Sequence, residues 1–181
     1  MIKDLVQNIK KELEDRLHNE EKISFVDTFS LKENSKKLNL AAVIIGIYKD
    51  KLAEGYSYES MDKSFKMKKH PLYFNIDIAF LSLFKEEKFL YGLDMISSVA
   101  AILNSLSVLE LTDEQSLQKT KIAIKVHDYS KEELNNLWTK LGISYVPSIF
   151  CNFSSIMISD DSIYQVVPRL EKFHYESNSK K

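Results

Sequence analysis

The sequence predicts an α+β fold, with helices packed on a mixed, mostly antiparallel sheet. Three segments carry apolar residues at three- and four-residue steps, and the segments between them alternate or are apolar throughout, as strands do. The 181 residues suffice for one sizeable core, since a domain of roughly 150 residues already buries about two-thirds of its unfolded surface. We therefore expect two long helices and a short third helix in one domain, residues 1–168, followed by a flexible tail, residues 169–181.

The first half begins with a predicted amphipathic helix at residues 2–17. Residues 22–31 alternate, but both faces are mixed, which predicts a strand at a sheet edge. Residues 38–48 are rich in β-branched side chains and apolar on both faces, as a covered central strand requires. Residues 49–69 show no period. They predict a long excursion or hairpin and a candidate contact surface, because long loops in compact domains are usually functional.

The second half returns to regular patterns. Pro71 starts an alternating strand at residues 72–84, where its missing amide hydrogen leaves no ladder bond unmade. Residues 86–106 predict the longest helix, packed beside the first, and residues 120–127 predict a short strand. The residues expected on the buried stripe of this helix are Leu90, Leu93, Ile96, Val99, Ala100, Leu103 and Leu106.

A capping signal marks the last helix. Ser130 and Glu133 have the spacing of a capping box, so the helix should run from there to Leu141. Gly142 supplies a left-handed stop, and residues 145–158 predict the next strand. The expected order is helix, two strands, excursion, strand, helix, strand, helix, strand.

The carboxy-terminal apolar unit, residues 163–170, cannot bury itself alone. Pro168 excludes it from the centre of a sheet. It should pair along an edge, either of its own sheet or of a neighbouring subunit. Val166, Val167 and Pro168 are therefore candidate interface residues.

Composition excludes several classes of protein. Lys and Arg number 25 against 26 Asp and Glu, so no overall positive field would attract nucleic acid. A single cysteine favours a reducing compartment, and we expect a cytoplasmic protein. The amino terminus lacks the pattern of an export signal, and the apolar runs reach about half of the roughly 20 residues that a membrane helix needs.

Cofactor and metal sites are not predicted. The four glycines, Gly46, Gly55, Gly92 and Gly142, are scattered, whereas a phosphate-binding loop needs several close together. The histidines show no metal-ligand spacing.

One catalytic arrangement can be constructed. Cys151 could act as nucleophile with His127 as base and Asp128 or Asp77 as the orienting carboxylate. The strand pattern around Cys151 instead favours a small buried side chain, which is the common state of a free cysteine.

The lysine-rich part of the excursion has two interpretations. Lys63, Lys66, Lys68 and Lys69 could form a solvated loop or dock on an acidic protein surface.

Trp138 has helical spacing with Leu134, Leu137 and Leu141, which predicts a core anchor. The alternative is a position in a subunit interface, where tryptophan is enriched.

The segment "ELNNLWTKLGISYVPSIFCNFSSIMISDD", residues 133–161, resembles the amino-terminal domain of tail-terminator (cap) proteins of phage-tail-like contractile injection particles. The opening helix and "HPLYFNIDIAFLSLF" are also similar, so the resemblance spans most of the chain. We call residues 134–148 the family block. Its motif residues are Leu134, Asn135, Leu137, Trp138, Gly142, Tyr145, Pro147 and Ser148.

The resemblance implies a structural role without catalysis. Subunits of this family form a ring, commonly six-fold, that closes the end of the tube and sheath distal to the baseplate. It implies three partners: further copies of the chain, the tube protein and the sheath protein. Two departures are visible, since the excursion is lysine- and tyrosine-rich and the chain stops soon after Pro168, where larger relatives continue.

Two functions from other classes stay open at this point. One is a soluble adaptor or immunity-like binding module, and the other is a cysteine-dependent enzyme using Cys151.

Overall fold

A computed structural model describes residues 2–17, 22–50, 56–60, 64–69, 72–112, 119–158 and 163–168. The chain divides into two compact units. The first comprises Met1–Asp50 and Tyr73–Ile158, and the second comprises Lys51–Leu72 and Ser159–Lys181. The tail predicted at residues 169–181 lies outside the described residues.

The described residues form four α-helices and nine strands. The helices are α1 (Ile2–Arg16), α2 (Thr28–Asn34), α3 (Phe89–Ser105) and α4 (Lys131–Leu141), with single 3₁₀ turns at Ser35–Lys37 and Glu86–Lys88. The strands are β1 (Ile23–Phe25), β2 (Leu40–Lys49), β3 (Tyr56–Ser60), β4 (Ser64–Lys69), β5 (Leu72–Ser82), β6 (Val108–Thr112), β7 (Lys119–Val126), β8 (Ser148–Ile158) and β9 (Ile163–Pro168).

Six strands form the sheet of the first unit in the order β1-β2-β5-β8-β7-β6. The edge strand β1 runs parallel to β2, whereas the pairs β2–β5, β6–β7 and β7–β8 are antiparallel. The amide of Ser82, at the end of β5, donates to the carbonyl of Pro147, just before β8. The fold is therefore α+β with a mixed sheet, as the sequence predicts.

Helices α1 and α3 pack on one face of this sheet. The amphipathic helix α1 buries Leu5, Ile9 and Leu13, which share a cluster with α3 and with the inward side chains of β5. The central members of this cluster are Leu5, Ile9, Leu13, Ile76, Ile78, Phe80, Met95, Val99 and Leu103. The expected position of the longest helix beside the first is thus confirmed.

Helices α2 and α4 pack on the opposite face. Their buried side chains meet the alternate residues of β2, β5 and β8, so each of these strands is covered on both sides. The buried members of this second cluster are Leu31, Ala41, Val43, Ala79, Leu81, Trp138, Leu141 and Phe150. The prediction of two long helices and a short third one is corrected here, because α2 is an additional helix.

The additional helix begins inside the segment predicted as a strand over residues 22–31. The strand β1 ends at Phe25, and Asp27 then caps α2. The two carboxylate oxygens of Asp27 accept hydrogen bonds from the amide and the hydroxyl of Ser30, at 2.8 and 2.7 Å. The alternating pattern did not indicate this helix start, although Asp27, three residues before Ser30, is a favoured N-cap residue. The expected edge position of the strand is confirmed.

The buried stripe of α3 differs from the predicted one. Leu90 and Leu93 are 79% and 36% exposed, whereas Gly92 and Met95 face the core. The backbone of Gly92 lies close to the sheet, and its carbonyl accepts a hydrogen bond from the Ser82 hydroxyl at 3.0 Å. A Cβ on Gly92 would lie 2.6 Å from that hydroxyl oxygen. The close approach therefore sets the rotation of the helix.

Strand β6 is also a correction, because no strand was expected between the longest helix and residues 120–127. Its five residues pair antiparallel with β7. Leu109 and Leu111 are buried, so the strand alternates as a half-covered edge strand does.

The second unit contains a three-stranded sheet in the order β3-β4-β9. Strands β3 and β4 pair antiparallel, so the excursion contains the hairpin that was one of its two predicted forms. Strand β9 pairs antiparallel with β4 of its own chain and lies at the edge of the sheet. Of the two edges considered for this segment, the structure shows the one within the same chain.

Candidate functional site

The family block folds as a helix, a stop and a strand. Ser130 caps α4 through a complete capping box: its hydroxyl accepts from the Glu133 amide, and the Glu133 carboxylate accepts from the Ser130 amide at 2.9 Å. Gly142 ends the helix in the left-handed conformation, with φ 67°. Its amide donates to the carbonyl of Trp138 at 3.0 Å. The sequence predicted both the capping box and the left-handed glycine, and both are present.

Trp138 is buried within the second cluster, with 8% of its surface exposed. Its ring makes edge-on contacts with Tyr145 and Phe150, at centroid distances of 5.4 and 6.5 Å. The helix is thereby anchored to the segment leading into β8. The indole nitrogen is buried and has no hydrogen-bond partner in the described part of the chain.

Other motif residues line an open groove of about 230 Å³ at the start of α4, which we call the Tyr145 groove. Leu134, Tyr145 and Ser148 line it together with His127 and Asp128. Tyr145 is 74% exposed although its ring edge contacts Trp138. One part of the family block thus builds the core, and another part is presented at the surface.

The proposed thiol and imidazole do not come together. Cys151 is buried in the first cluster, whereas its neighbour in β8, Phe150, belongs to the second. The His127 ring contacts Tyr129, which packs on Phe150, at centroid distances of 4.5 and 5.1 Å. Since adjacent strand residues point to opposite faces, the two groups lie on opposite sides of the sheet.

Burial also raises the pKa of the Cys151 thiol to about 12. A thiol with such a pKa is protonated at neutral pH and is a weak nucleophile. The geometry and the protonation state both identify Cys151 as a core residue.

The structure reveals a polar cluster that the sequence did not predict. We call it the Asp77 cluster, and it links β2, β5, β8 and the loop after β7. The Asn152 amide nitrogen donates to Asp77 Oδ1 and to the Tyr48 hydroxyl, at 2.7 Å each. The Tyr48 and Tyr129 hydroxyls donate to the Asp77 carboxylate at 3.2 and 3.4 Å. Asp77 therefore joins three strands and is not an orienting group for His127.

A β-bulge places Tyr48 on the face of Asp77. Ile44 pairs with Ile78 but Gly46 pairs with Asp77, so Ile45 is the extra residue. An inserted residue reverses the side on which all later side chains of the strand point. No local signal in the sequence other than Gly46 marks this bulge.

The cluster changes the acidity of its phenols. Burial, followed by the charge of Asp77, raises the pKa of Tyr129 to about 12. Burial and the same carboxylate also raise the pKa of Tyr48. Both phenols are therefore neutral donors throughout the physiological range.

The two groups of predicted interface residues lie on neighbouring strands of the small sheet. Lys66 of β4 pairs with Val166 of β9. In the same ladder, Phe65 pairs with Val167 and Ser64 with Pro168. Lys68 and Lys69 follow on β4, whereas Lys63 lies outside the described residues. The backbone thus brings together two groups that are about 100 residues apart in sequence.

Metal-ligating side chains are a further feature that could form a site. Within the described ranges, three or more His, Cys, Asp or Glu side chains do not converge on a common point. The described helices are also too short or too polar to span a bilayer.

A family model described as the Pvc16 N-terminal domain matches residues 4–172. The match covers nearly all of the chain, including both units. A comparison with curated protein sequences gave no significant match.

Two solved structures are similar in fold. One is the sheath/tube terminator of an extracellular contractile injection system, PVC, in the extended state, with a TM-score of 0.58 and 15% identity. The other is the tube-terminating cap of the anti-feeding prophage, with a TM-score of 0.60 and 15% identity. The matches cover 100% and 96% of this chain but 65% and 61% of those chains. The present chain therefore spans less than two-thirds of the length of either.

Proposed function

The chain belongs to the family of the Pvc16 N-terminal domain, and on this premise we propose that it is a terminator, or cap, subunit of a contractile injection system. It closes the end of the tube and sheath distal to the baseplate. The observation that carries the proposal is the family match over residues 4–172. The two structures of similar fold, a sheath/tube terminator and a tube-terminating cap, support it.

The proposed assembly is a ring of identical subunits, commonly six-fold, in contact with tube and sheath proteins in the cytoplasm. Identical head-to-tail contacts close into a ring when the rotation between subunits permits. Residues 1–168 act as one terminator domain in this proposal. The family match supports this extent because it runs through residues of both compact units.

The small sheet is the proposed contact surface. The lysines at positions 63, 66, 68 and 69 meet an acidic partner surface, and the edge strand β9 adjoins Lys66 and Lys68 through its ladder with β4. An edge strand can pair with a further strand from a partner. The Tyr145 groove is a separate surface, formed by the family block.

The role is structural rather than enzymatic. Replacing Cys151 by Ser or His127 by Ala should leave capping intact. The first change introduces a buried hydroxyl and should cost about 1–3 kcal/mol of stability, and the second removes a side chain that is exposed. Capping and urea unfolding of both variants test this. Loss of function in either variant with the fold preserved would favour a cysteine-dependent enzyme.

The decisive experiment is co-expression with the tube and sheath proteins of a contractile injection system, followed by electron microscopy of particle ends. We expect this chain at the end distal to the baseplate and tubes of limited length. Tubes and sheaths that grow equally long with and without this chain, and carry no density for it, would contradict the proposal. Stable binding to a protein outside the particle would then favour an adaptor.

A further inference from the structure

A basic groove lies in the first unit where β5, α2 and α4 end. Its volume is about 390 Å³, and we call it the Lys85 groove. Lys32, Lys36 and Lys85 line it from the last turn of α2, the following 3₁₀ turn and the segment after β5. Its apolar lining comes from Leu83, Phe84, Ile143 and Val146.

The three lysines of this groove, Lys32, Lys36 and Lys85, make no ion pair with another described residue. Glu86 and Glu87 follow Lys85 in sequence, but neither lines the groove. A concave surface lined by charges of one sign concentrates its field and attracts the opposite charge.

The helix ends explain only part of this arrangement. Lys32 lies in the last turn of α2 and Lys36 in the 3₁₀ turn that follows, where cations complement the helix dipole. Lys85 follows a strand and has no such role. Its position in the groove is therefore not accounted for by helix stability.

The family block forms one wall of the groove. Gly142, Ile143, Ser144 and Val146 all line it. A Cβ on Gly142 would lie 3.3 Å from Lys32 Cδ, so the Lys32 stem runs directly over this glycine. The same residue that ends α4 thus also makes room for a groove lysine.

We propose that the Lys85 groove binds an acidic segment of the tube or sheath protein, one that carries aliphatic side chains between its carboxylates. Three ammonium groups would meet the carboxylates, and the four apolar lining residues would meet the aliphatic groups. This inference rests on the proposed terminator function. It adds a contact surface formed by residues of the first unit.

Peptide binding tests the groove itself. The probe is a fluorescein-labelled hexapeptide, Glu-Glu-Leu-Glu-Glu-Leu, measured by anisotropy at low salt. The groove variant carries Lys32→Ser, Lys36→Ser and Lys85→Ser. The matched control carries Lys3→Ser, Lys11→Ser and Lys22→Ser, three exposed lysines outside the groove, and has the same change in net charge.

We expect the groove variant to bind the peptide at least tenfold more weakly than the wild type, and the control to stay within about twofold. The contacts are electrostatic, so binding should weaken as salt shortens the screening length. Absence of wild-type binding, or equal weakening in both variants, would overturn the groove as a specific site.

Capping by the same variants tests the partner. With tube and sheath proteins present, the groove variant should occupy fewer particle ends than the control. Equal capping by both would refute the groove proposal and leave the terminator function intact. If the wild type itself does not cap, the terminator function fails, and the peptide measurement still decides whether the groove takes acidic segments.

Discussion

Trp138 anchors the family block in the core. It connects α4 to the segment before β8 through Tyr145 and to β8 itself through Phe150. Its position in the core follows from its helical spacing with Leu134, Leu137 and Leu141, and sequence alone predicted that. The exposure of Tyr145 was not predictable, because it depends on the path of the five residues between Gly142 and β8.

Replacing Trp138 by Ala should lower the free energy of unfolding by about 3–5 kcal/mol, since the change leaves a large cavity. This is a substantial part of the roughly 5–15 kcal/mol that a domain has. Urea titration measures the loss. Trp138→Phe is the control: it keeps an aromatic ring and removes a nitrogen that has no partner among the described residues, so the loss should be smaller. A loss below about 1 kcal/mol with failed assembly would instead place Trp138 at an interface.

The Tyr129 hydroxyl should make stability sensitive to alkaline pH. Its pKa is about 12 in the folded protein against 10 for the free side chain. A raised pKa in an acid means that folding favours the neutral form, so this contribution is full below pH 10. It is lost as pH rises from 10 to 12.

Tyr129→Phe should remove that part of the alkaline loss. At neutral pH it should cost about 1 kcal/mol for the hydrogen bond to Asp77. The measurement is unfolding free energy against pH from 8 to 12. Cys151 titrates in an overlapping range and is common to both proteins, so the difference between them isolates Tyr129. Parallel curves for the two proteins would contradict the prediction.

The Asp77 cluster could not be predicted from the sequence, although the side of the sheet on which Asp77 lies could be. Alternation correctly placed Asp77 on the face opposite Ile76 and Ile78. Its partners lie 29, 52 and 75 residues away in sequence. Their meeting depends on the bulge before Gly46 and on strand order, and neither can be read from local spacing.

At the level of elements, capping signals predicted helix ends correctly, whereas alternation and helical spacing gave some wrong boundaries and buried faces. The capping box and the left-handed glycine fixed both ends of α4. In residues 22–31, alternation predicted one long strand. The strand has only three residues, because the helix capped by Asp27 begins after it. In α3, the tight contact of Gly92 with Ser82 overrode the stripe that Leu90 and Leu93 suggested.

Strand β9 provides the element-level prediction. Truncation after Ser159 removes the strand that pairs with β4, and leaves β3 and β4 as a two-stranded hairpin. An isolated hairpin is marginally stable. We expect circular dichroism to show a folded six-stranded unit, hydrogen exchange to show faster exchange in β4, and capping to be lost.

Truncation after Phe173 keeps β9 and is the matched control, for which we expect no effect on folding or capping. Capping by the shorter chain would show that β9 is dispensable for assembly. Failure of that chain to fold would show that the six-stranded unit requires β9.

At the scale of the whole molecule, the proposed assembly depends on charge as well as on fold. Replacing Lys63, Lys66, Lys68 and Lys69 by Ser should leave the monomer's Tm nearly unchanged, because solvated lysines, one of the two states that the sequence predicts for them, add little to folding. Capping should weaken, because such charges accelerate and orient association. Scanning calorimetry and counts of capped particle ends measure the two effects.

The control for this variant replaces four exposed lysines of the first unit, Lys3, Lys11, Lys22 and Lys125, by Ser. It has the same net charge, so only the position of the lost charges differs. Unaltered capping by the small-sheet variant at low and high salt would remove this surface from the interface.

The pairing of β9 with β4 also sets an order of events during translation. The hairpin of β3 and β4 is complete at Lys69, but β9 begins at Ile163. At roughly 5–20 residues per second, a ribosome needs roughly 5–20 s to make the intervening chain. All strands of the six-stranded sheet have been synthesised by Ile158. Until β9 has been made, β4 therefore pairs only with β3, and the small sheet is the last of the two described sheets for which all strands have been synthesised.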